Sequence, residues 1–182
     1  MTISNIAIVD DHLLIAKALG SIIEQFKQFN VLYELDGGKA LIDKLKLKKN
    51  LPDIVLLDVS MPEMSGFEVA AWLKKKHPEI LIMVLSMQDD EQTIIKMIRA
   101  GARGYLHKNV HPADLEKALN TLVSKGFYYP EWATNKLMLN MANEKENSIL
   151  KLNNKETEFL QYCCTEMTYR EIAEKCFVAH VP

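Results

Sequence analysis

Ile6-Ala7-Ile8-Val9-Asp10-Asp11-His12 and Ile54-Val55-Leu56-Leu57-Asp58 decide how this chain folds. Each is a short, wholly apolar run that ends on a carboxylate. A short run without polar alternation fits a strand of a parallel sheet, buried on both faces. Similar runs follow at 31–34, 80–85 and 104–106. Between them lie amphipathic stretches at 13–26, 39–47, 67–76, 91–100 and 113–124. In the last of these, Leu115, Leu119 and Leu122 recur at helical spacing. Gly37-Gly38, Pro52, Gly66, Pro78, Gly101 and Pro112 mark the boundaries. Pro112 suits a first helical turn, where a missing N–H costs little.

Five strand–helix units in succession predict an α/β fold, a doubly wound parallel sheet of five strands. No glycine-rich fingerprint follows the first strand, so the flavodoxin-like order 2-1-3-4-5 is expected rather than a dinucleotide-binding sheet. Its switch point lies between the first and third strands, and the site belongs at their C-terminal ends.

Composition narrows the classes. Of the 182 residues 48% are hydrophobic, too many for a solvated disordered chain. No apolar run approaches the roughly 20 residues that span a bilayer, and the first eleven residues do not read as a signal peptide. Cys163, Cys164 and Cys176 are odd in number and lack zinc spacing, which favours free thiols and a reducing cytoplasm. Residues 1–125 carry 16 basic and 16 acidic side chains, and 151–182 carry 4 and 5. Neither segment has the basic surplus of a self-sufficient nucleic-acid binder. The expected division is 1–125 as the α/β domain, 126–150 as a partly helical linker, and 151–182 as a small helical piece.

The order 2-1-3-4-5 brings Asp10, Asp11 and Asp58 to one crevice. Three carboxylates close together raise one another's pKa. A hard divalent cation with oxygen ligands, Mg²⁺ where phosphate is handled, relieves that repulsion. Ser86 ends the fourth strand with a hydroxyl, and Lys108 follows the fifth with a cation. A carboxylate, an acidic pair, a hydroxyl and a lysine at neighbouring strand ends suit phosphoryl transfer to a carboxylate.

Four segments carry a resemblance: Val9-Asp10-Asp11-His12, Leu56 to Gly66 (LLDVSMPEMSG), Val84-Leu85-Ser86 and Gly101 to Lys108 (GARGYLHK). Over residues 3–125 the chain resembles the receiver domain of two-component response regulators. The resemblance implies that Asp58 is the phosphoacceptor, charged by a histidine kinase. It implies a Mg²⁺ site formed by Asp10, Asp11, Asp58 and the Ser60 carbonyl. Lys108, Ser86 and Met87 would meet the phosphoryl group, and Tyr105 would follow Ser86 as the aromatic switch residue. His107 stands at a variable position and receives no role. Pro62 is read as fixing the loop after the acceptor, and Gly66 as allowing a backbone conformation that bulkier residues resist.

At the C-terminal end, Asn153 or Asn154 can cap one helix, and Thr168 with Glu171 forms a capping box for a second. Glu156, Glu171-Ile172-Ala173 and Phe177-Val178-Ala179 make this piece similar to the first half of the LuxR-type helix-turn-helix of the FixJ/NarL class. The sequence stops at Pro182, where that resemblance places the recognition helix, so no DNA-reading residue is assigned. Cys163 and Cys164 read as helical thiols without a cationic neighbour.

The function expected is therefore a phosphorylation-switched response regulator with a DNA-binding, transcription-regulating output in its full-length form. A homodimer would form on phosphorylation. The alternative is a receiver that signals through protein contacts alone. A phosphatase using Asp58 as nucleophile ranks lower, because Ser60 occupies the place where haloacid-dehalogenase-like enzymes carry a second aspartate. The chain is read as a phosphoacceptor with self-catalysed phosphorylation and dephosphorylation, not as an enzyme with a separate substrate.

Overall fold

The computed structural model describes residues 3–47, 50–87, 90–134, 161–162 and 171–172. Ten elements alternate along the chain: β1 (Ser4–Val9), α1 (Leu13–Ile23), β2 (Phe29–Leu35), α2 (Gly38–Lys46), β3 (Ile54–Asp58), α3 (Gly66–Lys76), β4 (Leu81–Ser86), α4 (Glu91–Ala100), β5 (Gly104–His107) and α5 (Pro112–Lys125). The strands form one sheet in the order β2-β1-β3-β4-β5, every pair parallel. This is the doubly wound, flavodoxin-like topology expected from the alternation of apolar runs. The expected 143–148 spacer, the helix-turn-helix resemblance and the three cysteines lie outside the described residues, apart from the isolated positions 161–162 and 171–172.

Strand periodicity divides the core into two layers. Ala7, Val9, Val55, Leu57, Ile82, Val84 and Tyr105 face one side, where Leu41 and Leu45 of α2, Val69 and Leu73 of α3, and Ile94, Ile95 and Met97 of α4 cover them. Ile6, Ile8, Ile54, Leu56, Met83, Leu85 and Leu106 face the other, under Ala16, Leu19 and Ile23 of α1 and Leu115, Ala118, Leu119 and Leu122 of α5. The central strands are buried on both faces, which is why they read as unbroken apolar runs.

Two elements differ from the sequence reading. The amphipathic pattern of α1 extends to Phe26, yet the helix ends at Ile23. The Gln25 and Phe26 N–H groups donate to the carbonyls of Ile22 and Ile23, at 3.1 and 2.9 Å, in a tightened last turn. That turn brings the Phe26 ring edge-on to Phe29, with centroids 6.5 Å apart. Packing, not helical continuation, accounts for the apolar Phe26. The chain past α5 also stays on the domain. Gly126 ends α5 in the left-handed region at φ 85°, Phe127 is buried, and Tyr128 bridges to Gly104.

The loop after β3 positions the site. Ser65 caps α3 in a reciprocal box with Glu68, the Ser65 N–H donating to Glu68 Oε2 at 2.9 Å. The Gly66 N–H donates to the Val59 carbonyl at 2.9 Å. Gly66 is required for a different reason from the conformational freedom expected. A Cβ there would collide with the backbone carbonyl oxygen of Asp58 and lie 2.9 Å from Val59 Cα. Helix α3 therefore starts in direct contact with the backbone of Asp58.

Gly66→Ala is expected to destabilise the fold by about 1–3 kcal/mol, because rigid backbone must move. Gly37→Ala, with open space around its Cβ, should stay within about 1 kcal/mol of wild type. Urea denaturation of both variants checks the contrast, and equal losses would refute the steric role of Gly66.

Candidate functional site

The C-terminal ends of four strands supply the site. Asp10 follows β1, Asp58 ends β3, Ser86 ends β4 and Lys108 follows β5. Their backbones are tied together. The Asp10 N–H donates to the Leu35 carbonyl at 3.0 Å, and the Lys108 N–H donates to the Ser86 carbonyl at 2.9 Å. The strand ladders thus hold the polar residues where the sheet opens.

Lys108 is the centre of the arrangement. Its Nζ lies 2.7 Å from Asp10 Oδ2 and 3.0 Å from Asp58 Oδ1, and all three side chains are buried. Asp10 Oδ1 also accepts the His12 N–H at 2.9 Å. Burial pushes the Asp58 carboxyl up; the Lys108 hydrogen bond and charge pull it back, and the Asp10 charge adds to the rise. The carboxyl ends above its ordinary value. For Lys108, burial works against the charged form, but hydrogen bonds and charge from Asp10 and Asp58 outweigh it, and its pKa rises. The lysine is therefore a fixed cation between two carboxylates.

Asp11 completes an acidic cluster. One ligand atom from each of Asp10, Asp11, His12 and Asp58 falls in a group whose members all lie within 4.8 Å of one another. Asp11 Oδ1 is buried and accepts no hydrogen bond among the described residues. His12 Nδ1 lies 3.0 Å away, but the contact lacks hydrogen-bond geometry. A carboxylate oxygen in that condition, beside two further carboxylates, suits a hard divalent cation. The residues present fit Mg²⁺. His12 joins this cluster without being expected there from the sequence; its place beside two consecutive aspartates is the signal that points to it.

The other expected residues are distributed around this centre. Ser86 is buried at the end of β4. Ser60 is exposed in the loop two residues past Asp58, and Met87 is exposed just beyond β4. Tyr105 is fully buried one strand further, in the layer under α2, α3 and α4. Val84 pairs with Tyr105 in the sheet register, and Ser86 lies two residues past Val84. Ser86 and Tyr105 therefore share a face as diagonal neighbours.

The model of the response regulator receiver domain matches residues 6–120. Among similar proteins is the transcriptional regulatory protein DegU of Brevibacillus brevis, 29% identical over 157 residues, covering 85% of this chain and 66% of DegU. The isolated receiver domain of RcsB from Salmonella enterica serovar Typhimurium, solved with the phosphomimetic BeF₃⁻, is 27% identical. It superposes with a TM-score of 0.68 over 75% of this chain and 99% of that one. A structure of two RcsB dimers bound to two parallel DNAs is 27% identical, with a TM-score of 0.69 over 96% of this chain and 83% of that one. Among the described residues no helix is long and apolar enough to cross a membrane. The matched segment contains the sheet, but for the first two residues of β1, and the acidic crevice with Lys108, and on that ground the chain belongs to the response regulators, carrying their receiver domain.

Proposed function

We propose that the chain accepts a phosphoryl group on Asp58 from a histidine kinase. The observation that carries this reading is the buried Lys108 ammonium bridging Asp10 and Asp58, beside an Asp11 oxygen that accepts no hydrogen bond among the described residues. An Asp58 carboxylate oxygen attacks the phosphorus of the kinase phosphohistidine. The new O–P bond forms as the N–P bond breaks, and the imidazole departs. Lys108 follows the transferred oxygens, since one of its two partners becomes the acyl phosphate. Ser86 donates its hydroxyl to another phosphoryl oxygen, and the Met87 backbone lines the same opening. Asp10, Asp11, Asp58 and the Ser60 carbonyl would hold Mg²⁺, which when bound would supply charge neutralisation for the incoming phosphoryl group.

Phosphorylation then draws Ser86 toward the crevice and Tyr105 after it, biasing the α4–β5 region. The output proposed is control of transcription through DNA binding by the full-length regulator, with a homodimer as the phosphorylated form. Its support is the similarity to DegU and to the DNA-bound RcsB dimers. The setting proposed is cytoplasmic. The chain is a signalling protein whose only chemistry is its own phosphorylation and dephosphorylation.

Incubation with acetyl phosphate and Mg²⁺ should add one phosphoryl group, read by intact mass. Asp58→Asn and EDTA should each abolish the gain; a gain that survives in Asp58→Asn would refute the assignment. Lys108→Ala should slow phosphorylation by about 100-fold, the usual loss for one charge-stabilising donor, in a stopped-flow assay; a rate within threefold of wild type would remove Lys108 from the site.

A pH effect follows from the raised Asp58 pKa. The folded form holds this proton more tightly than the unfolded chain does. Its stabilising contribution is full below the ordinary carboxylate value of 3.8 and disappears as pH rises through the folded value. In metal-free buffer Asp58→Asn should therefore gain in Tm relative to wild type as pH rises through that interval. A difference that stays flat or falls across the same scan would contradict the burial cost assigned to this carboxylate.

A further inference from the structure

The segment after α5 docks on the open edge of β5 and encloses Tyr105. The Tyr105 N–H donates to the Tyr128 carbonyl at 3.1 Å, and the Tyr128 N–H donates to the Arg103 carbonyl at 2.8 Å. The Tyr129 hydroxyl donates to the Ala102 carbonyl at 2.9 Å. A helical turn then opens at 131, with the Ala133 and Thr134 N–H groups both donating to the Pro130 carbonyl at 3.0 Å. Ala133 is completely buried. That turn seats Trp132 edge-on against Tyr105, with ring centroids 5.9 Å apart and planes at 80°. Tyr129 and Trp132 both pack on the core layer that contains Tyr105.

These contacts make a continuous line from the crevice to the chain beyond the receiver. Ser86 and Tyr105 are diagonal neighbours on one face of the sheet, and Trp132 packs edge-on against Tyr105. Tyr105 has no solvent exposure in this position. Trp132 of the 127–134 strap packs against the inward ring, so lifting the strap would remove that support. Anything that favours the inward ring favours the docked strap, and the reverse holds by linkage.

We propose that Trp132 is a positioning residue for the phosphoryl switch, holding Tyr105 inward so that strap docking on β5 and occupancy of the Asp58 crevice reinforce each other. The proposal rests on the phosphoacceptor reading above and adds to it the element through which the signal leaves the receiver. The strap is the first chain past α5, so its docking sets how the following residues depart from the domain.

The test uses the whole chain with BeF₃⁻ and Mg²⁺ as the phosphoryl stand-in. Fluorine NMR reports bound fluoroberyllate, and amide hydrogen exchange reports the Tyr105 and Tyr128 N–H groups. Binding should slow exchange at both amides by about 5-fold or more. Trp132→Ala should bind BeF₃⁻ about 5-fold more weakly and lose the added protection, while Trp132→Phe, which keeps a ring against Tyr105, should recover most of both. Tyr129→Phe, which removes the hydroxyl that donates to the Ala102 carbonyl, should weaken binding by a smaller factor and guards against misfolding of the alanine variant. Bound fluoroberyllate with unchanged or faster Tyr128 exchange would overturn the proposal while leaving Asp58 as acceptor. Wild-type affinity in Trp132→Ala would do the same. No bound signal in the wild type would remove the phosphoacceptor reading, and this proposal with it.

Discussion

Asp10 and Asp58 can share a buried crevice because Lys108 reaches both. Two carboxylates taken out of water repel each other and lose hydration, and a lone lysine in the same place would be costly for the same reason. The ammonium at 2.7 and 3.0 Å from the two acids turns three expensive charges into one compensated group. The compensation is incomplete, as the raised pKa of Asp58 shows. The crevice keeps residual negative character, and with the Asp11 oxygen it suits a cation and then a phosphoryl group. Three strands of the sheet hold this balance, since the charges sit just past β1, on the end of β3 and just past β5.

The surrounding structure is rigid where that balance must be held and adjustable where a signal must pass. Gly66 lets α3 begin against the carbonyl of Asp58, and the Ser65–Glu68 box fixes that beginning. Ser86 is joined to Lys108 through the strand ladder. On the other side, β5 is an edge strand, and among the described residues the short strap at 127–134 covers its open edge. A short edge contact opens at lower free energy than a central ladder. Tyr105 lies between the crevice and that cover, which is where the proposed switch needs it.

Much of this was legible beforehand. The apolar runs ending in Asp10 and Asp58 carry strand burial and site chemistry in one pattern, so the topology and the convergence of the carboxylates followed together. Ser86 and Lys108 stood out at the strand ends by their chemistry, the resemblance added Met87, Ser60 and Tyr105, and the fold brings Lys108 into contact with two of the acids while Tyr105 shares a sheet face with Ser86. Less legible were features set by contacts distant in sequence. Phe26 looked helical because apolar spacing cannot tell a helix from a turn that packs on Phe29. Gly66 looked like a conformational requirement because a glycine does not say which atom it must admit.

What the sequence determined by itself was periodicity and chemistry: five strands with buried central runs, the helices between them, and acids, a hydroxyl and a lysine at the strand ends. Those follow from local rules, since burial on two faces demands unbroken apolar runs and polar residues gather where strands stop. Only the tertiary structure decided that one lysine serves two acids, that one oxygen of Asp11 is left without a hydrogen bond, and that Trp132 closes over Tyr105. Those depend on distances of a few ångströms between residues far apart in the chain, and only packing of the complete sheet sets such distances.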